Sequence, residues 1–292
     1  MLWAVFTVIA AASQTARNAM QRELTATLGT AGATHVRFLF GFPFAVLFLL
    51  GVMWTTGLPL PAVPLSYWPW VLWGALAQVV ATALMLAAMS ERSFVVAVAY
   101  IKTEPVQVAL FGLIFLGDRI TIGMAAAILI ATAGVIVMSL KPGAGASSRA
   151  TVLGIGAGGM FALSAIGYRG AILALEGQNF VMAATFTLVI GLISQSVVLS
   201  LYLAIRDIEV LRSIMRAWKP SILAGFMGAL ASEFWYLAFA IATAASVRTL
   251  ALVEVLFAQA ISRFIFKQPT TPREAAGIVL VVAGVVLLIW AH

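Results

Sequence analysis

Ten runs of roughly 20 apolar residues, set apart by glycines, prolines and small clusters of charge, follow one another along this 292-residue chain. A run of that length crosses the ~30 Å hydrocarbon core of a bilayer as a helix, so the pattern predicts a protein built almost wholly of membrane spans. We place them at Leu2 to Met20, Thr34 to Trp54, Trp68 to Met89, Ser93 to Leu116, Thr121 to Leu140, Thr151 to Leu173, Phe180 to Ile205, Trp218 to Ile241, Ala245 to Phe266 and Arg273 to Ala291. The first could be mistaken for a signal peptide because of Ala10, Ala11 and Ala12, but no Lys or Arg precedes it, and it is read as a span. Charged residues are 9% of the chain and apolar ones 63%, too little charge to coat a water-facing surface. Cysteine is absent, which excludes disulfides, thiolate metal sites and cysteine nucleophiles.

The net charge of +7 could suggest nucleic acid in a soluble protein, but in a membrane chain basic residues set orientation and no nucleic-acid partner is expected. Loops after odd-numbered spans, taken together with the span ends that flank them, hold eleven basic residues, Arg17 and Arg22 among them, and loops after even-numbered spans hold only Arg119. The asymmetry puts the odd loops in the cytoplasm and both termini outside. Arg37, Lys102, Arg169, Arg248 and Arg263 fall within spans. The charged stretch Asp207 to Ala217 and the Pro-rich stretch Thr55 to Tyr67 read as connectors.

Shifting the sequence on itself by 150 positions brings Thr82 onto Ser232, Glu104 onto Glu254 and Ala133-Gly134-Val135 onto Ala283-Gly284-Val285. A shift of 152 brings Ala16-Arg17-Asn18-Ala19 onto Tyr168-Arg169-Gly170-Ala171. Residues 1–140 and 151–292 are therefore read as two five-helix repeats joined by a flexible Gly/Ala/Ser linker at 141–150. Five is an odd number, so the second repeat enters the bilayer from the opposite face and the repeats are inverted, the plan of alternating-access transporters.

An ionisable group at mid-membrane costs at least ~2.5–3.5 kcal/mol to insert, so those that persist face a cavity or a partner. Glu104 and Glu254 are central to their spans and repeat-equivalent; Pro105 removes a helical amide beside Glu104 and predicts a kink. Tyr100 shares the Glu104 face of its helix, and Lys102 points elsewhere, paired or snorkelling. Glu233 and Trp235 sit in the most aromatic and polar patch inside any span; Gln78 and Met85 lie on the third span, and Phe161, Ser164, Tyr168 and Arg169 follow the Gly-rich stretch Gly154 to Gly159. Close helix packing accounts for those glycines. A zwitterionic aromatic solute could be held by Glu104, Glu233 or Glu254 at its ammonium, by Arg248 or Arg169 at its carboxylate, and by Phe161, Trp235 and Tyr100 at its ring. The structural alternative is that each carboxylate pairs with a base, Glu254 with Arg248 for instance, and simply locks helices together.

The run Glu104-Pro105-Val106, then Gly112-Leu113-Ile114-Phe115-Leu116-Gly117-Asp118-Arg119-Ile120-Thr121 and the Gly134 helix, resembles the EamA-like module of the drug/metabolite transporter superfamily. The second half departs from the module at Val255 and at Lys267 to Thr271. The resemblance implies ten transmembrane helices in a cell (inner) membrane and export of small organic solutes, often amino acids, with the YddG-type aromatic amino-acid exporters most similar in size and interior. It also implies termini in the cytoplasm, against the charges. A cationic-drug exporter and a non-transporting membrane subunit are the alternatives. No cofactor is expected, protons are the candidate coupling ion, and the assembly is read as a monomer or weak dimer. An intramembrane hydrolase would need His paired with Ser, Glu or a metal, and only His35 and His292 exist.

Overall fold

The computed structural model describes residues 1–91, 100–139, 148–257, 259 and 271–291, which are helical apart from turns and connectors. Helix α1 spans Leu2–Leu39 and α2 Phe42–Thr56. Continued straight, Leu2–Thr56 would be ~80 Å long, far more than a bilayer is thick. Gly29, at φ 67, breaks it in a conformation open chiefly to glycine. The chain turns back there, since Gln21 Nε2 donates to the Ala33 carbonyl at 2.9 Å, a reach impossible across 12 residues of straight helix. The first span thus runs on past Met20, where the sequence reading ended it.

Helix α3 is Tyr67–Glu91. After Tyr100 and Ile101, a turn at Lys102 and Thr103 leads into α4, Glu104–Phe111, which continues as a π-helical turn over Gly112–Leu116. Helix α5 is Ile122–Ser139, α6 Ser148–Ala174 and α7 Phe180–Arg206. The stretch read as a charged connector folds as a short helix, α8, Ile208–Arg216, whose N-cap Asp207 accepts from the Val210 amide at 3.3 Å. Its apolar side, Val210 and Ile214, closes over Gly32 of α1. Helix α9 is Trp218–Ile241; α10, Ala244–Leu250, tightens to a 3-10 turn over Ala251–Val253; α11 is Pro272–Ala291.

Six stretches among the described residues are long and apolar enough to cross a membrane, and two shorter apolar helices, Glu104–Leu116 and Ile122–Met138, join them. Residues 140–147, 92–99, 258 and 260–270, which hold most of the linker read at 141–150, the start of the fourth predicted span and the end of the ninth, lie outside the described residues, and Ser148 to Ala150 of that linker already belong to α6.

Three helix pairs pack most extensively: α3 with α6, α5 with α11, and α1 with α9. Small residues permit each approach. A Cβ at Gly167 of α6 would stand 2.6 Å from the Gly74 amide of α3, one at Gly284 of α11 2.6 Å from the Ala131 amide of α5, and one at Gly225 of α9 2.5 Å from Phe40. Lipid tails are as apolar as leucine, so association rests on this close packing rather than on hydrophobic burial. Buried apolar side chains form two clusters. The larger holds Trp235, Phe239, Tyr168 and Tyr236. The smaller holds Met85, Ile101, Phe161 and Ile214. Polar groups collect where the two meet.

Candidate functional site

The turn at Lys102 and Thr103 replaces the kink expected at Pro105. Pro105 occupies the first turn of α4, where its missing amide costs nothing, and the helix before it has already ended. Thr103 Oγ1 donates back to the Tyr100 carbonyl at 2.9 Å and accepts from Gln107 Nε2 at 3.0 Å, which holds the turn. Gly158 and Gly159 of α6 let this irregular segment lie close, because a Cβ at Gly158 would be 3.0 Å from the Ile101 carbonyl and one at Gly159 would be 2.6 Å from Gln107 Oε1. On the other half of the chain, the 3-10 turn Ala251–Val253 stands immediately before Glu254, as Lys102 and Thr103 stand before Glu104. Both carboxylates thus sit just past a local break in their helices, at positions that the 150-residue shift superposes.

Glu104, Glu254, Arg248, Lys102 and Arg17 line one cavity, with Gln14 and Asn18 as further polar walls and Met85, Ile101 and Phe161 as apolar ones. Its free space is about 20 Å³, room for one water and no more. Two ion pairs cross it. Arg248 Nε lies 3.0 Å from Glu104 Oε1 as an ion pair, with both side chains under a tenth exposed. Lys102 Nζ pairs with Glu254 Oε1. Each pair joins the segment around α4 to the segment around α10, so the pairing is between halves of the chain. The expected alternative of Glu254 with Arg248 is not what forms. Those two are six residues apart with the 3-10 turn Ala251–Val253 between them, not the three or four that make helical neighbours, whereas the facing segment offers each a partner. Lys102 is accordingly a cavity residue.

The Arg248 guanidinium lies 4.3 Å from the centre of the Trp235 ring and 5.4 Å from that of Phe239. Cation–π attraction of this kind is worth up to ~2 kcal/mol when desolvated, so the ring fixes where Arg248 can point. Trp235 Nε1 in turn donates to Gln14 Oε1 at 3.1 Å. Trp235 therefore stands behind the cavity wall.

Five other candidate residues are placed apart from it. Tyr100 packs over Gly154 of α6. Gln78 accepts from Gln195 Nε2 at 2.8 Å, the same amide donates to the Tyr168 hydroxyl at 2.7 Å, and the Tyr168 ring packs at a tilt against that of Tyr236 with ring centres 4.6 Å apart. Glu233 accepts from Thr185 Oγ1 at 2.5 Å. Arg169, a candidate carboxylate anchor, is already committed: it donates to the Phe239 carbonyl at 2.6 Å and to the Ala242 carbonyl, and pairs with Asp118 at 3.4 Å. It closes the C-terminal end of α9, where carbonyls lack helical donors.

Arg17 is the residue that the sequence reading misplaced. It was counted with the first cytoplasmic loop, but it lies inside α1, is 1% exposed, and faces the cavity. The stretch Ser13 to Arg22 is polar enough to look like a span end, yet Gln14, Arg17, Asn18 and Gln21 recur at three- and four-residue intervals on one helix face. That spacing was the available signal. Arg37 is also buried, in the part of α1 beyond Gly29, and donates at 3.3 Å both to Thr82 Oγ1 and to Ser232 Oγ, the hydroxyl pair that the repeat superposes. His35 meets Ser200 Oγ at 2.9 Å, tying α1 to α7 and standing apart from the cavity walls.

Comparison with known proteins follows the same lines. No curated protein sequence matches the chain. One crystal structure, of a protein described no further, is similar over 99% of this chain and 95% of its own at a TM-score of 0.70 and 14% identity, a likeness of fold alone. A family model, the EamA-like transporter family, matches residues 1–140, the segment that contributes Arg17, Lys102 and Glu104 to the cavity. Members of that family are membrane transporters of small solutes, in keeping with the multi-pass, apolar helices described above. By that match, residues 1–140 of this chain are similar to the EamA-like transporter family of the drug/metabolite transporter superfamily.

Proposed function

We propose that the chain is a secondary transporter that carries small organic solutes, amino acids foremost, out across a cell (inner) membrane by alternating access around the ion-paired cavity. The observation that carries this reading is the crossed pairing of Arg248 with Glu104 and of Lys102 with Glu254. Groups so expensive to bury would be wasted on a lock between helices when apolar packing does the same more cheaply. At a cavity between moving halves, they give a solute charges to exchange with. The reading takes the chain as ten spans in two inverted repeats, 1–140 and 151–292. It draws support from the packing of α1 on α9 and α6 on α3, which an exchange of first, third, sixth and eighth spans interconverts, and of α5 on α11, which maps onto itself. The present structure corresponds to an occluded state, its cavity too small for any organic solute. Phe161 in the wall, with Trp235 behind Arg248, would favour aromatic side chains. Protons are the natural coupling ion for paired carboxylates, and a single chain suffices for the cycle.

The test is uptake of a panel of radiolabelled amino acids into proteoliposomes holding the purified protein, with and without a proton gradient. Saturable uptake of at least one amino acid above protein-free vesicles is expected. Uptake of organic cations with no amino acid competing would instead favour a cationic-drug exporter.

A further inference from the structure

The charges around the cavity do not cancel. It holds three cations, Arg17, Lys102 and Arg248, and two carboxylates, Glu104 and Glu254. Lys102 and Arg248 each have a carboxylate; Arg17 has none among the described residues. Among the described residues its Nε and Nη2 donate only to the side chain of its neighbour Asn18, Nη2 at 2.5 Å, and its Nη1 is buried without a partner. An arginine cannot shed its proton to escape this position, so the charge stays.

A second arginine adds to the excess. Arg37, equally buried, bonds only hydroxyls, and its stem and that of Arg17 pack on the same glycine: a Cβ at Gly228 would lie 3.0 Å from Arg37 Cγ and 3.4 Å from Arg17 Cδ. Two neighbouring buried guanidinium groups without carboxylates are a poor way to hold helices together, since they repel one another and leave donors unmet. They are a good way to make a positive potential at the wall of a cavity.

We infer that Arg17 is the anchor for a carboxylate on the transported solute, and that the site favours solutes of net negative charge over neutral or cationic ones. The inference rests on the transport reading above and names the chemistry of its substrate. A guanidinium presents a planar fork of N–H donors that matches a carboxylate two bonds at a time, and the unpartnered Nη1 is one such donor on a residue that lines the cavity. Gln14 and Asn18, one turn before and one residue after on the same helix, supply amides for the remaining oxygen lone pairs. Glu104 Oε1 and Glu254 Oε2 are also buried without a hydrogen-bond donor among the described residues, but each glutamate already faces a cation, so the excess charge of the lining, three cations against two carboxylates, favours an anion.

The experiment measures binding to the purified full-length protein in lipid nanodiscs by titration calorimetry, with L-lactate, L-glutamate, L-phenylalanine, inorganic phosphate and agmatine as probes. Lactate and glutamate are expected to bind, phenylalanine more weakly, and agmatine not at all. Arg17→Gln should weaken glutamate binding at least tenfold, and Arg17→Lys should lose less, because it keeps the charge but not the fork. The same Arg17→Gln protein should unfold at an equal or higher temperature than wild type, because it removes an uncompensated buried charge. A merely structural arginine would show the opposite.

Unchanged glutamate binding in Arg17→Gln, or preferential binding of agmatine, overturns the inference, and so does phosphate binding with no carboxylate bound. A lower melting temperature in both Arg17 variants overturns it as well, by making the residue a structural one. The transport reading fails separately: it is lost if proteoliposomes carry no amino acid, whereas the Arg17 assignment is lost if they do but Arg17→Gln leaves the preference for anions untouched.

Discussion

Glu104→Gln removes one negative charge from the cavity and alters shape hardly at all. In the wild type its Oε1 sits 3.0 Å from Arg248 Nε, with the two side chains 8% and 7% exposed. At an effective dielectric near 20, two unit charges at that separation attract by roughly 5 kcal/mol before desolvation is counted. The amide keeps an acceptor oxygen but leaves the guanidinium as a buried charge without a counter-ion, a change that typically destabilises by about 3–5 kcal/mol. For a chain of this size each kcal/mol moves the melting temperature by about 2–4 °C, so a fall on the order of 10 °C is expected. Glu104→Gln with Arg248→Gln removes the orphaned charge as well. It should recover part of the loss, with a coupling above ~1 kcal/mol in the double-mutant cycle. Thermal unfolding followed by intrinsic fluorescence in detergent, with size exclusion to confirm monodispersity, reads both quantities. A Glu104→Gln protein within 2 °C of wild type by that ~2–4 °C scale, or strictly additive losses, would refute the claim that this pair is desolvated and coupled.

Other consequences follow from single contacts. Gly167→Ala would put a methyl 2.6 Å from the Gly74 backbone, which cannot swing aside, and should destabilise by about 1–3 kcal/mol in the same assay. Gly51→Ala, with open space around it, should not. Trp235→Ala removes both the ring under Arg248 and the donor to Gln14, and transport of Phe or Trp should fall about tenfold while that of Thr or Ala changes little. In this cysteine-free chain, a Cys at Ser213 of α8 should be shielded from an impermeant thiol reagent in intact cells and one at Pro59 should react, if the positive charges set orientation. The reverse labelling would put the termini in the cytoplasm.

Helix positions were legible because hydropathy falls at every turn of the chain. Trp218 to Ile241 was read to the residue, and Phe180 to Ile205 to within one. The site was legible where chemistry stood out against an apolar background: Glu104 and Glu254 were visible as lone carboxylates at equivalent positions. What hid Arg17 was the same hydropathy rule. A helix that lines a polar cavity carries Gln14, Arg17, Asn18 and Gln21 on one face, and a window average reads such a face as a loop. Partner choice was not legible either, because pairing across the cavity depends on which helices face each other. The charged stretch after Arg206 hid α8 because its apolar side is short, Val210, Leu211 and Ile214 packing on the smaller cluster.

One small space between the two halves of the chain is the proposed path of the solute, and filling it is the most direct test. Met85 lies in the wall of that 20 Å³ cavity, on the apolar side, and makes neither ion pair. Counterflow of a labelled amino acid should be saturable in proteoliposomes of the wild type and lost in Met85→Trp, in protein that remains folded and monodisperse. Counterflow by folded Met85→Trp at the wild-type rate would contradict it.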